Sequence, residues 1–257
     1  VATGSVVGTL VAKGMRFSDP KDAKKVVGFG ALGAILALFV GPLLAGSLSM
    51  DGSPQSIEVA QLGWAIVVAI IATVAVSLAR LIAALVARAA GPGPHLGIMV
   101  GSSLVIAAAA IAMTFMTGES VLYVLTSGEE LITELPTITS VSTVVAIIAF
   151  KSLAYAVSLG AGFRGGPFFP AMFVGAASGL LIALALPDGP SAQAAIIVGV
   201  VASVIATAPM KWPLAIILGI VIGFAMGTWT LVPAALIGAV VARAIPRWAD
   251  RISAGPN

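Results

Sequence analysis

The stretch Gly160-Ala161-Gly162-Phe163-Arg164-Gly165-Gly166-Pro167-Phe168-Phe169-Pro170 decides the fold of this chain. It holds four glycines and two prolines, which do not continue a helix, yet long apolar runs lie on both sides of it. The pattern predicts that one helix ends here and that another begins near Phe168. Non-helical backbone at membrane depth must line a cavity or be buried in protein, and the unpaired N–H groups of a helix start then face that cavity. We therefore examine this break first as a site for an anion.

The composition is that of a membrane protein. Of the 257 residues, 60% are hydrophobic and 9% are charged, and the mean hydropathy is +1.14. Soluble domains are charged at about a quarter of their residues. Since one span needs about 20 apolar residues, the apolar runs predict roughly eight to ten membrane segments. We expect an all-α polytopic membrane protein, with residues 1–257 as one transmembrane domain that ends in a polar tail at 246–257.

Charge and residue type exclude several classes of function. The net charge of +3 comes from 13 Lys and Arg against 10 Asp and Glu. These charges are spread among loops, where they set topology and do not form a nucleic-acid surface. Cysteine is absent and His95 is the only histidine, so metal sites and Ser/His or Cys catalysis lack the residues they need. We expect no enzyme, no metal and no cofactor.

Polar and Gly/Pro-rich turns separate the apolar runs. Arg80 and Arg88 suit a helix end near a membrane interface. Residues 117–136 form the most polar part of the interior, with four glutamates around a short apolar piece. We expect this acidic segment to be surface or re-entrant, with solvated glutamates. The predicted membrane segments are 26–50, 57–88, 96–116, 138–159, 168–186, 192–208, 214–226 and 231–245.

An internal repeat relates the two ends of the chain. With an offset of 171 positions and no gaps, residues 1–47 match residues 172–218 at eleven positions, among them Gly4 with Gly175, Gly8 with Gly179 and Pro42 with Pro213. The copies begin an odd number of predicted crossings apart, so they have opposite orientations, which is the pattern of inverted-repeat transporters and channels. The first copy's counterpart of residues 166–170 falls just before Val1, and since the chain opens without Met, we expect an N-terminally truncated protein.

The break and its surroundings match a known family. Residues 162–170, with Gly175-Ala176 and Gly179, resemble the GxFxP…GAxxG signature of the CLC chloride channels and proton-coupled chloride exchangers. Lys151 falls on a basic position upstream of the signature, and Lys211-Trp212-Pro213-Leu214 is similar to the family's Arg-Ala-Pro-Leu. The resemblance covers nearly the whole chain and is nearest to a divergent bacterial branch of ion channel proteins.

The resemblance implies a CLC-like inverted-repeat helical bundle with broken helices, of which this chain holds a part. In such a bundle two helix starts meet near mid-bilayer and bind chloride through backbone N–H groups. Carried over position by position, the N–H of Phe168 donates to the ion. Pro167 stands where the family has a second donor and has no N–H, so the site should hold its anion with fewer donors or shift it. The implied anion-binding residues are Gly165, Gly166, Pro167, Phe168 and Phe169.

Three cations are candidates for a pore or vestibule. Arg164, Lys151 and Lys211 lie in or next to membrane segments, where ionisable residues are functional hypotheses by default. Anchoring at the interface and snorkelling from a helix end are the plain alternatives.

Several elements of the family pattern are missing or altered. The gating glutamate belongs to the loop before Val1. The inner carboxylate of the exchangers has no clear counterpart, since only Asp51 is nearby, and no tyrosine follows Tyr155 to reach the ion. The stretch between Met50 and Gln61 is also shorter than the two helices that the family places there as part of its dimer interface. We expect passive conduction or weakly coupled exchange of chloride, in a homodimer of the intact protein in a bacterial plasma membrane.

Two other functions stay open. The chain could be an inverted-repeat secondary transporter for another solute, or a membrane scaffold that transports nothing. The stretch at residues 160–170 would then be a helix-breaking packing loop.

Overall fold

The apolar runs fold into helices wherever the structure describes them. This computed structural model describes residues 59–91, 96–163, 166–186, 188–207, 210–226 and 229–245, and no strand occurs in these ranges. Short 3-10 turns lie at Glu130–Ile132, Leu135–Thr137 and Trp229–Leu231. The helices of this part of the chain are α1 (Val59–Ala90), α2 (Leu96–Thr117), α3 (Leu122–Leu125), α4 (Val141–Gly160), α5 (Phe168–Ala185), α6 (Ala192–Thr207), α7 (Trp212–Met226) and α8 (Val232–Ala244).

Four of these helices are long and apolar enough to cross a membrane. They comprise most of α1 (Leu62–Ala90) and the whole of α2, α4 and α5, while α6, α7 and α8 are shorter and also apolar. With 32 residues, α1 is about 48 Å long at 1.5 Å per residue, which exceeds a hydrocarbon core of about 30 Å. It must therefore tilt or project from the bilayer. The expectation of an all-α polytopic membrane protein is confirmed.

The sequence predicted these seven apolar helices to within three residues at each end. The acidic segment also behaves as expected, because it forms only the short helix α3 and two 3-10 turns, and its glutamates are half-buried or exposed. The predicted run 26–50, the first repeat copy 1–47 and the tail 246–257 lie outside the described residues. The second repeat copy, 172–218, falls on α5, α6 and the start of α7 and stays a prediction.

The end of α4 is a glycine-dependent cap. Gly162 has φ of +80°, a left-handed conformation that only glycine adopts at no steric cost. Its N–H donates to Leu159 O at 3.3 Å, and the N–H of Phe163 donates to Ser158 O at 3.1 Å. This pair of bonds is the Schellman motif, which satisfies the last carbonyls of a helix and turns the chain away. The predicted helix break therefore has a local cause in the sequence.

Helix α6 lies at the centre of the bundle. It packs against α1, α5, α7 and α8, and every residue from Ala194 to Thr207 is buried. A helix that is apolar on all sides suits such a central position, because none of its faces needs water. Its closest neighbour is α5, because Gly175 lies against Gly199 and Gly179 lies against Ala195, backbone to backbone. The residue numbers run in opposite directions along this contact, so the two helices are antiparallel, and the start of α5 lies beside the end of α6.

Candidate functional site

The start of α5 presents an unusual set of backbone donors. Pro167 is the N-cap residue, with φ −74° and ψ −11°, and its side chain makes no capping hydrogen bond. A helix start leaves four N–H groups without an intrahelical acceptor, but Pro167 and Pro170 have no N–H. The remaining donors are the N–H groups of Phe168 and Phe169. The aromatic side chain of Phe168 is only 8% exposed.

The first turn of α5 holds no carboxylate that would oppose the partial positive charge of the helix start. A helix start carries the equivalent of about half a positive charge, which attracts an anion. The first turn of α5 contains no acidic residue. The antiparallel neighbour α6 has the opposite effect, since its C-terminal end carries a partial negative charge beside the start of α5. The electric field at the start of α5 therefore depends on which groups neutralise the partial negative charge at the end of α6.

An arginine from α1 reaches the end of α6. The guanidinium Nη1 of Arg80 donates to the carbonyl oxygen of Ala206 at 3.0 Å. Next to it, the Tyr155 phenol from α4 is 5% exposed and lies close enough to Arg80 and Thr207 to interact with both. The Thr207 hydroxyl donates to Ser203 O at 2.8 Å, and the Tyr155 hydroxyl does not reach hydrogen-bond geometry with a described residue. One apolar cluster joins Tyr155 and Ala206 to Ala171, in the first turn of α5.

A second cation inside the bundle is Lys151. It lies in the body of α4 and is 1% exposed. Its ammonium group donates to Thr126 O at 2.5 Å and to Val124 O at 3.4 Å, and it lies 5.2 Å from the centroid of the Phe173 ring. Carbonyls at the end of a helix, here α3, are good partners for an ammonium group. Lys151 thus ties the acidic segment to α4 and to α5.

Phe173 is the point on α5 at which the acidic segment packs. Its ring centroid lies 6.0 Å from that of Tyr123. Gly128, with φ of +86°, is so close that a Cβ atom there would meet the Phe173 ring at 2.7 Å. Burial, and then Glu119 and Glu134, raise the pKa of Tyr123. Burial and the neighbouring Glu130 raise the pKa of Glu129.

The other predicted site residues are less central. Gly166 is exposed, while Pro167 and Phe169 are half-buried. Arg164 and Gly165 lie outside the described residues. Lys211 is exposed and lies just before α7, next to a carbonyl, Met210 O, that accepts a hydrogen bond from Arg243 Nε at 2.8 Å. Within the described ranges, no three His, Cys, Asp or Glu residues come together as a metal site would require.

Sequence reasoning missed Arg80. Its position near the end of an apolar run suggested a helix end at an interface, but α1 continues to Ala90 and the whole stretch Leu62–Ala90 is a candidate span. The signal that could have found it is the uncharged apolar sequence on both sides, including all seven residues between Arg80 and Arg88. A charged residue inside an apolar run is a functional hypothesis by default.

The fold and this site define a class, which is a polytopic α-helical membrane protein with a broken helix whose start presents backbone donors. The family model described as voltage gated chloride channel matches residues 1–247, and the chain therefore belongs to this family. The predicted CLC resemblance is confirmed. Neither the search of curated proteins nor the search of solved structures found a match. Membership in this family indicates transport of anions across a membrane, by a channel or transporter and not by an enzyme.

Proposed function

We propose that this protein passes chloride or a similar small anion across a membrane by passive conduction or weakly coupled exchange, with the start of α5 as part of the binding site. The observation that carries the proposal is the helix break. A Schellman cap ends α4 at Gly160, α5 begins at Phe168, and no acidic residue lies in its first turn. Two N–H groups and a helix dipole can replace part of an anion's water shell. Because they carry only partial charges, they do not trap the ion as a full cation in contact with it would.

The distribution of carboxylates supports passive movement. Among the described residues, the helices α1, α2 and α4–α8 contain no Asp, Glu or His. Proton relays in membrane proteins are built from those side chains. Tight proton coupling would have to rely on residues elsewhere in the protein.

The proposal includes the site residues that the resemblance implies. Gly166 and Pro167 lead the backbone into α5, while Phe168 and Phe169 supply the donors. Lys151 would act at a distance, by holding the acidic segment and Phe173 in place. Assembly as a homodimer and a location in a bacterial plasma membrane belong to the same proposal.

Flux from liposomes tests this function. Purified protein is reconstituted into liposomes loaded with potassium chloride, and chloride efflux is followed with an electrode after valinomycin is added. We expect efflux well above that of empty liposomes, and little proton uptake when a chloride gradient is applied at equal K⁺ concentrations with valinomycin present to compensate the charge. Flux of cations only would point to a transporter for another solute. Background flux by folded protein would point to a scaffold, and either result overturns the proposal.

A further inference from the structure

Arg80 lies where a charge is expensive. It belongs to the candidate span Leu62–Ala90 and is half-buried. Charged side chains inside spans are rare and usually have a functional partner. Here the described partner is the carbonyl oxygen of Ala206, at 3.0 Å from Nη1, in the last turn of α6.

The end of α6 and the start of α5 lie side by side. Gly175 contacts Gly199 and Gly179 contacts Ala195, so the antiparallel register brings Phe168 to the level of Ala206. The common cluster of Ala171 and Ala206 agrees with this register. Without compensation, the negative end of α6 would cancel much of the attraction that the positive end of α5 has for an anion.

A second observation concerns this junction, the place where the start of α5 at Phe168 lies beside the end of α6 at Ala206. The Tyr155 hydroxyl is buried and without a partner in hydrogen-bond geometry among the described residues, yet it lies close to both Arg80 and Thr207. A buried hydroxyl without a partner usually implies an unseen water, ion or functional role. The junction therefore combines a cation, a buried phenol beside Thr207 and two opposed helix ends.

We propose that Arg80 is a positioning residue for the anion site: its charge neutralises the negative end of α6 and so preserves the attraction of the α5 start for the anion. This inference rests on the proposed function. In this proposal Arg80 acts through the end of α6, to which its Nη1 is bonded at Ala206 O. A unit charge at roughly 10 Å, with an effective dielectric constant of about 20, changes the affinity for an anion about tenfold.

Three variants of the reconstituted protein test the inference. Arg80→Gln removes the charge and keeps a hydrogen-bond donor, while Arg80→Lys keeps the charge. Arg88→Gln is the matched control, because Arg88 is exposed in the last turn of the same helix. For each variant we would measure the half-saturating chloride concentration of the flux, the maximal flux and the unfolding temperature.

We expect Arg80→Gln to raise the half-saturating chloride concentration about tenfold, and Arg80→Lys and Arg88→Gln to stay within about threefold of the wild type. A purely structural role would instead lower the unfolding temperature of both Arg80 variants and move their half-saturating concentrations equally. That result, or an unchanged concentration in Arg80→Gln, overturns the inference. If the wild type itself carries no anion, the proposed function fails and the inference fails with it, so the two failures are distinguishable.

A second pair of variants covers the case in which Arg80→Gln does not fold. Thr207→Asp adds a negative charge to the same junction and leaves Arg80 in place, and Thr207→Asn is its neutral, isosteric control. The charged variant should weaken chloride binding by several-fold relative to the neutral one. Equal affinities in the two variants would contradict electrostatic control of the site by this junction.

Discussion

Gly175 and Gly199 lie against each other where α5 crosses α6, and the carbonyl oxygen of each occupies the position that a Cβ atom on the other would need. Gly179 meets the backbone of Ala195 in the same way, one turn further along α5. Glycine at a crossing lets two helix backbones approach closely, which strengthens the van der Waals packing between helices in lipid. Since α5 begins with Phe168, this crossing also fixes the candidate site relative to the end of α6.

A methyl group at this crossing should loosen the bundle. We expect Gly199→Ala to lower the free energy of unfolding by about 1–3 kcal/mol, because the new Cβ meets Gly175 O, which is backbone and moves only with the helix. The measurement is thermal or denaturant unfolding in detergent.

Gly101→Ala is the matched control for the crossing. Gly101 lies in α2 and is exposed, and a Cβ atom there meets nothing within 4 Å. It should be neutral, or stabilising by up to about 1 kcal/mol through helix propensity. Equal effects of the two substitutions would show that α5 and α6 are not in backbone contact.

Loss of one backbone donor should weaken anion transport. Proline is tolerated in the first turn of a helix and has no N–H, so Phe168→Pro removes one of the two donors. Because the αR backbone of Pro167 (ψ −11°) is disfavoured before proline, the unfolding temperature of the variant is measured beside its flux. A hydrogen bond to a charged group contributes about 1.5–3 kcal/mol, and its loss should raise the half-saturating chloride concentration about 10- to 100-fold.

Phe168→Leu distinguishes the contribution of the N–H from that of the aromatic ring, because it removes the ring and keeps the N–H. We expect its half-saturating chloride concentration to stay within about threefold of the wild type. If the leucine and proline variants raise that concentration equally, the ring and not the N–H controls transport, and the assignment of Phe168 as a donor is wrong.

The fold was predictable because each element has a local cause. Hydrophobic runs set the seven apolar helices, and Gly162 with Pro167 set the end of α4 and the start of α5. The donors at Phe168 and Phe169 follow from that start together with the two prolines, which have no N–H. No tertiary information was needed for these elements.

The hydrogen-bond partners of Lys151 and Arg80 could not be predicted in the same way. Lys151 bonds to carbonyls 25 and 27 residues away, and Arg80 bonds to a carbonyl 126 residues away. Those acceptors are backbone atoms, so no side-chain pattern marks them. Only the packing of α1 on α6 and of the acidic segment on α4 brings each donor to its acceptor.

Lys151 should control the order of the acidic segment. Lys151→Met keeps most of the side-chain volume but leaves Val124 O and Thr126 O without this donor, which costs about 1–3 kcal/mol when such groups are buried. We expect amide hydrogen exchange in residues 122–135 to accelerate about tenfold or more, with exchange in α6 unchanged.

The control for Lys151 is Lys211→Met, which removes an equal charge from an exposed site. It should leave exchange in residues 122–135 at the wild-type rate. Wild-type exchange in the Lys151 variant would mean that the acidic segment is held by its apolar residues alone.

Glu129 should make stability depend on pH. Burial, and then Glu130, raise the pKa of its carboxyl above the ordinary value of 4.5, so in the window just above pH 4.5 the folded state binds more protons than the unfolded state. Stability from this group is full below about pH 4.5 and is lost as the pH rises through the folded-state pKa. Glu129→Gln should therefore raise the unfolding temperature at neutral pH and flatten this decline. The corresponding change in the free energy of unfolding should be less than about 1 kcal/mol, because the group is partly solvated.

Glu134→Gln is the control for this effect. It removes one carboxylate from the same segment but leaves the burial of Glu129 and its neighbour Glu130 unchanged, so the decline of the unfolding temperature above pH 4.5 should persist. The measurement is the unfolding temperature of the two variants and the wild type at a series of pH values from 4.5 to neutral. If Glu129→Gln retains the wild-type slope, another group is responsible for the pH dependence, and the acidic segment does not hold Glu129 in the partly buried position described above.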